Sequence, residues 1–177
     1  TIAEKHNISL LAGFEAEDKE TSYIRASGEN LPTSSLNSVA TAGTLDANAY
    51  SWGNSMASIL SRVEYNYDDK YYVSGSFRRD GSSKLSPDTR WGNFWSVAGS
   101  WRINNENFMK DIDWLSSLRL RASYGINGTL PTDNYGWRAL TSYTYNYREN
   151  PGAALSNTVN EGLSWETSYT YNVALEF

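Results

Sequence analysis

Hydrophobic and polar residues alternate with a period of two along much of this chain. Residues 164–177 read SWETSYTYNVALEF. Odd positions carry Trp165, Thr167, Tyr169, Tyr171, Val173, Leu175 and Phe177, while even positions carry Ser164, Glu166, Ser168, Thr170, Asn172, Ala174 and Glu176. Successive side chains of a strand point to opposite faces, so this pattern predicts a strand with one apolar and one polar face. The same split recurs in residues 118–126 (Leu118, Leu120, Ala122, Tyr124, Ile126 against Arg119, Arg121, Ser123, Gly125) and 94–103 (Trp95, Val97, Gly99, Trp101, Ile103). It recurs again in residues 71–80 (Tyr71, Val73, Gly75, Phe77), in 59–68 (Ile59, Val63, Tyr65, Tyr67) and near the start (Ile8, Leu10, Ala12, Phe14). Six strands are predicted. Residues 137–147 form a seventh candidate, with Trp137, Ala139, Thr141, Tyr143, Tyr145 and Tyr147 on one side. These strands are longer than the ~5–6 residues usual in globular sheets and match the ~9–11 residues of a tilted membrane strand.

The connections divide into short and long. Asp68-Asp69-Lys70 is a tight turn, and residues 81–93 form a longer polar loop. Residues 104–116 place Phe108, Ile112 and Leu115 at helical spacing, with Asn104 or Asn105 as cap. Residues 16–56 and 128–163 read as long excursions, the second broken by Pro131, Pro151 and Gly152. Short turns on one side and long loops on the other is the habit of outer-membrane barrels. Tyr65, Tyr67, Tyr71, Tyr72, Trp91, Trp95 and Trp101 cluster toward strand ends, as the aromatic girdles of such barrels do. Pattern alone leaves two readings open, a membrane barrel and a soluble all-β domain.

Composition narrows the function classes. There is no Cys and a single His, which excludes disulfide scaffolds, thiolate chemistry and multi-histidine metal sites. With 15 Lys+Arg against 20 Asp+Glu, the chain lacks the basic balance of a nucleic-acid binder. A mean hydropathy of −0.58 beside 13 Tyr and 7 Trp suits a surface with water on one face and an apolar medium on the other. No apolar run approaches the ~18–20 residues of a membrane helix. No nucleophile, base and oxyanion site assembles, so an enzyme is not expected, nor any metal or cofactor. The chain starts at Thr1 without a leader pattern and ends still in strand alternation. The expectation is one partial domain over residues 1–177 of a longer protein.

Between residues 65 and 128 the motifs become specific. YNYDDKYYVSGSFRRDGSS (65–83), RWGNFWSVAGSWRI (90–103), ENFM (106–109) and LRLRASYGINGT (118–129) follow in order, and LSWETSYTYNVALEF (163–177) comes later. This order closely resembles the barrel of SusC/RagA-type TonB-linked outer-membrane transporters of Bacteroidetes. The match rests on Arg-Asp-Gly-Ser-Ser (79–83), the strand 94–102, Leu-Arg-Ala-Ser-Tyr-Gly (120–125) and Trp-Glu (165–166). Asn127-Gly128-Thr129 departs from the Gly-Asn more common in the family.

The resemblance implies an all-β fold, part of an antiparallel transmembrane β-barrel, about six or seven strands of a larger one. It implies the bacterial outer membrane, with lipid outside, a plug domain and TonB contact through a region N-terminal to these residues. It also implies a SusD-like surface lipoprotein as lid, and an oligosaccharide or peptide as cargo. The Asp-Gly-Ser-Ser loop and residues 16–56 would lie outside the cell, and Asp68–Lys70 and residues 104–116 in the periplasm. Residues 137–147 would then belong to an extracellular excursion and not span the membrane. Arg62, Glu64, Arg78, Asp80, Arg102, Arg119, Arg121 and Glu166 would face the lumen or plug. Tyr50, Trp52, Tyr135 and Trp137 are candidates for contact with ligand or lid from the long loops. In the 79–83 motif, Asp80 is expected to accept backbone N–H bonds in a turn and Gly81 to supply a positive φ. Two alternatives to the transporter reading stand beside it: a small self-standing outer-membrane barrel, and a soluble β-sandwich module that binds carbohydrate.

Overall fold

The computed structural model describes residues 5–110 and 114–177. Its contacts group into two units, Thr1–Glu17 with Ser55–Phe177, and Asp18–Asn54. One six-stranded sheet contains β1 (His6–Glu29), β2 (Thr44–Tyr67), β3 (Tyr71–Ser82), β4 (Trp91–Arg102), β5 (Arg119–Thr129) and β8 (Glu166–Glu176), in that order. Where register is defined, from β2 to β8, every pairing is antiparallel. All six strands expected from alternation are present. The sheet is open, with β1 and β8 as its two edges, so it does not close on itself.

Register shows why alternation located these strands. Val63 pairs with Gly75, Gly75 with Val97, Val97 with Tyr124, and Tyr124 with Tyr171. Paired residues share a face, so one line of apolar side chains crosses the sheet. Beside it, Ser74 pairs with Ala98, Ala98 with Ser123, and Ser123 with Asn172. A slip of one residue would exchange the two lines, and a two-faced pattern therefore fixes register strongly.

The turn between β2 and β3 forms as expected. Asp68 and Asp69 both have left-handed φ values, 53° and 52°, and Lys70 N–H donates to Tyr67 O at 3.0 Å. Short acidic side chains tolerate this region better than most residues.

Five expectations need correction. Residues 16–56 are not a structureless excursion, because β1 runs to Glu29 and β2 begins at Thr44, each strand being 24 residues long. Residues 104–116 are not an amphipathic helix where the structure describes them. They form 3₁₀ turns at Ile103–Asn105 and Asn107–Met109, and Ile112 lies outside the described residues. Asn104 and Asn105 cap neither turn; Asn104 Oδ1 accepts from Leu118 N–H, and Asn105 Nδ2 donates to Asp69 O. Gly81 has no positive φ. It sits within β3, and a Cβ there would meet the Trp91 ring at 2.7 Å. Asp80 accepts from Arg78 Nε at 2.6 Å, not from a backbone turn.

Residues 137–147 stay out of the large sheet. Thr141–Tyr147 (β6) pairs with Asn150–Leu155 (β7) in a separate hairpin. Its turn residues, Arg148 and Glu149, both take left-handed φ, as a type I′ hairpin turn requires. Pro151 is tolerated in β7 because a two-stranded sheet leaves one side of each strand without a ladder to break.

The buried side chains gather at the end of the sheet where β3 and β4 are joined by residues 83–90. Leu85 and Phe94 are the buried hydrophobic residues among those described, accompanied by Ser58, Asp80, Ser82 and Ser86. Ser86 Oγ donates to Glu161 O at 2.8 Å, Thr89 Oγ1 to Leu163 O at 2.5 Å, and Lys84 Nζ to Pro131 O at 3.3 Å and to Thr132 O at 3.2 Å. Trp165 Nε1 donates to Arg90 O at 2.9 Å, and its ring meets Phe94 edge-on at 5.1 Å. The Phe94 ring occupies the space a Cβ would need at Gly92 and at Gly128. These bonds tie the loop after β3 to the loop after β5 and the loop before β8.

Candidate functional site

The sheet has two faces of opposite character. On the odd-numbered side of β2 to β4, Ile59, Val63, Val73, Phe77, Trp95 and Val97 are each 41% exposed or more, and from β8 Tyr171 is 82% and Val173 74% exposed. No other layer of the described protein covers them. A contiguous apolar patch on this scale is rare on soluble monomers and marks a surface that meets a partner or a membrane. The sandwich alternative requires these side chains to be sealed against a second sheet, and they are not.

Aromatic rings edge this apolar face. At the end with the Asp68–Lys70 turn, ring centroids step from His6 to Tyr67 (4.9 Å), to Tyr71 (6.3 Å), to Trp101 (6.3 Å). His6 Nδ1 is hydrogen-bonded to the Tyr65 hydroxyl at 2.8 Å. Ten residues along β4, Trp91 stands at the opposite end beneath the Arg79 guanidinium, 5.4 Å from the ring centroid. Ten residues span ~34 Å of strand, or ~26 Å along the normal of a barrel whose strands tilt ~40°. That height matches the ~25 Å apolar band of outer-membrane barrels. Tyr72 departs from the expected girdle; it lies on the other face, beneath Arg102 and Arg119.

The polar face collects all the charges singled out from sequence. Register places Arg62 opposite Ser76, Glu64 opposite Ser74, Arg78 opposite Leu60, Asp80 opposite Ser58, Arg121 opposite Ser100 and Glu166 opposite Thr129. They form separate groups, not one converging site. Arg62 and Glu64 pair at 2.5 Å, both well exposed. Arg78 bridges Asp80 at 2.6 Å and Glu15 at 3.3 Å, and also donates to Ser58 Oγ. Arg121 pairs with Glu176 at 2.6 Å, a partner sequence reasoning did not name. Arg102 and Arg119 stand directly opposite each other, with guanidinium carbons 5.2 and 5.8 Å from the Tyr72 ring. A hollow of about 550 Å³ opens on this face, lined by Glu64, Asn66, Tyr72, Ser74, Ser100 and Arg119 among others.

At the short-turn end, Glu106 is a hub missed in the sequence. It accepts from Tyr71 Oη at 2.5 Å and Trp101 Nε1 at 3.1 Å, and Lys70 Nζ lies 3.6 Å away. The Tyr71 hydroxyl first, then the Trp101 N–H and the Lys70 charge, hold its carboxyl below the usual glutamate range. The ENFM motif contains it, but nothing in the spacing says which strand it ties down.

The loop aromatics fall into two clusters. Tyr50 and Trp52 lie on β2, not on a loop, with centroids 5.3 Å apart, and Tyr23, unnamed from sequence, stands 4.8 Å from Tyr50. Tyr135 and Trp137 both lie against Arg138, at 5.5 and 4.7 Å. Among the described residues no group of His, Cys, Asp and Glu could hold a metal.

No protein-family model matches the chain. Similar proteins do. TonB-dependent receptor P39 of Formosa agariphila is 30% identical over 99% of the chain, and TonB-dependent receptor SusC of Bacteroides thetaiotaomicron is 35% identical over 73% of it. A solved structure of the RagAB peptide transporter superposes over 99% of the chain with a TM-score of 0.87 and 31% identity. This chain belongs to the SusC/RagA-type TonB-dependent receptors. It spans 17% of the length of P39, 14% of SusC and 20% of the RagAB chain. The open sheet is thus a segment of such a receptor's barrel.

Proposed function

We propose that this segment is wall and lumen surface of a TonB-driven importer in a bacterial outer membrane. The observation that carries the reading is the pairing of a bare apolar face with a charged, ion-paired face on a single sheet that superposes on the RagAB transporter at a TM-score of 0.87. The apolar face meets lipid between the Trp91 and Trp101 levels, and the polar face lines a hydrated lumen. Arg62, Glu64, Arg78, Asp80, Arg102, Arg119, Arg121 and Glu166 then serve the lumen wall and its contacts with a plug carried elsewhere in the receptor. The long-loop end, with Tyr135 and Trp137, faces outward toward a SusD-like lipoprotein and an incoming oligosaccharide or peptide. The chain's place among receptors and transporters supports import and not catalysis. RagAB is a peptide transporter, which favours peptide within that pair.

The test is uptake. In cells carrying the full receptor, deleting its gene should abolish growth on a limiting peptide or oligosaccharide, and deleting TonB should do the same. Arg121→Ala should alter uptake without loss of the folded receptor. Growth on every such substrate, unaffected by both deletions, would remove the importer reading.

A further inference from the structure

The apolar face carries one permanent charge. On that face of β1 to β5 and β8, within the unit that includes Ser55–Phe177, the side chains are aliphatic, aromatic or small, apart from His6, Asn93, a few hydroxyls and Arg79. Arg79 stands opposite Ile59 on one neighbour and Asn93 on the other. Its guanidinium lies over Trp91, and among the described residues no carboxylate is in ion-pair reach of it. On the opposite face the arginines at 62, 78 and 121 each have a carboxylate. A guanidinium at mid-band on a lipid face costs ~2–4 kcal/mol, falling to ~0–1 at the interfaces. Arg79 lies three residues from the end of β3, beside the long-loop connection, where that cost is small. Its five N–H donors need an acceptor, and the anion that apolar surroundings at this level offer is a lipid phosphate.

We propose that Arg79 and Trp91 form a binding site for the phosphate of an anionic lipid at the long-loop edge of the apolar face. The inference rests on that face being turned to lipid. The ring holds the guanidinium through its π-face and keeps the N–H edge turned outward, so one headgroup phosphate is bound in a bidentate fashion. The site anchors the barrel's height in the membrane at the level of Trp91.

The test uses the full-length receptor in nanodiscs of phosphatidylcholine with a minority of phosphatidylglycerol, with bound lipids counted by native mass spectrometry. Arg79→Gln should lose about one retained phosphatidylglycerol per receptor, Arg79→Lys should keep part of it as a point charge, and Trp91→Leu should weaken it. Equal retention in wild type and Arg79→Gln would overturn the site. A nitroxide at Val173→Cys in the same nanodiscs separates the two claims. If that label is in lipid while retention is unchanged, this inference alone fails; if the label is in water, the lipid-facing assignment fails with it.

Discussion

Val97→Arg is the substitution that most directly converts the two-faced sheet into a free energy. Val97 lies on β4 between Trp91 and Trp101, four residues from Trp101 and six from Trp91. At ~3.4 Å per residue and ~40° tilt it stands ~10 Å above the Trp101 level and ~16 Å below the Trp91 level, near the middle of the apolar band. Its neighbours across the strands are Gly75 and Tyr124, so no carboxylate is in register to neutralise the new charge. At mid-band depth the cost is ~2–4 kcal/mol, which lowers the folded fraction relative to the unfolded by about 30- to 1,000-fold. Two controls make the number specific. Leu120→Arg introduces the same charge at the Trp101 level, because Leu120 pairs with Trp101, and should cost only ~0–1 kcal/mol. Ala98→Arg has the same height as Val97 but projects from the polar face beside Ser74 and Ser123, and should cost little. The assay is urea unfolding of the full receptor in lipid, followed by heat-modifiable gel migration. Equal destabilisation by Val97→Arg and Ala98→Arg would refute the reasoning, since depth and face would then not matter.

Other consequences are as sharp. Arg78→Ala should destabilise more than Arg62→Ala, because it strands an Asp80 side chain that is 10% exposed, whereas Arg62 and Glu64 are 57% and 48% exposed; the expectation is ~1–3 against ~0–1 kcal/mol by chemical unfolding. Gly128→Ala should cost ~1–3 kcal/mol by overpacking the Phe94 ring, and Phe94→Leu should recover part of that in a double-mutant cycle. Glu106 is held below the usual glutamate range in the folded protein, so its contribution is present above that range (~4.3) and is lost as pH falls through the lowered folded value. Glu106→Gln should therefore flatten the acid side of the stability–pH profile, read from unfolding midpoints at successive pH values.

Alternation made β3, β4, β5 and β8 legible because their apolar and polar sets stay on fixed sides for the whole strand. The same parity gathers every candidate lumen charge on one face of the sheet, opposite the apolar line. It failed for β1 beyond Glu15, where Glu17, Asp18, Lys19 and Glu20 put charge on both sides of an extended strand and erase the period. It failed for β7 because Pro151-Gly152 is breaker chemistry, and only its place in an isolated hairpin makes it permissible. Tyr72 sits beside Tyr71 in the sequence, but adjacent residues of a strand face opposite ways, and it lies beneath Arg102 on the polar face. Gly81 looked like a turn glycine because its neighbours are polar; its real constraint is the Trp91 ring, ten residues on. The i,i+2 pairs Arg62–Glu64 and Arg78–Asp80 share a strand face by parity, but the long-range partners of the charges were not readable. Arg78 and Glu15 are 63 residues apart, and Arg121 and Glu176 are 55 apart, so only the register between distant strands brings them together.

A nitroxide scan of β4 tests the central claim most directly. Single cysteines from Asn93 to Trp101, labelled in the reconstituted full receptor, report collisions with oxygen, which concentrates in lipid, and with a water-soluble nickel chelate. Oxygen maxima at 95, 97 and 99, alternating with nickel maxima at 96, 98 and 100, are the expected outcome, position 94 being buried against Trp165. Maxima at the even positions for oxygen, or no alternation along the strand, would contradict a sheet with lipid on its odd side and a water-filled lumen on the other.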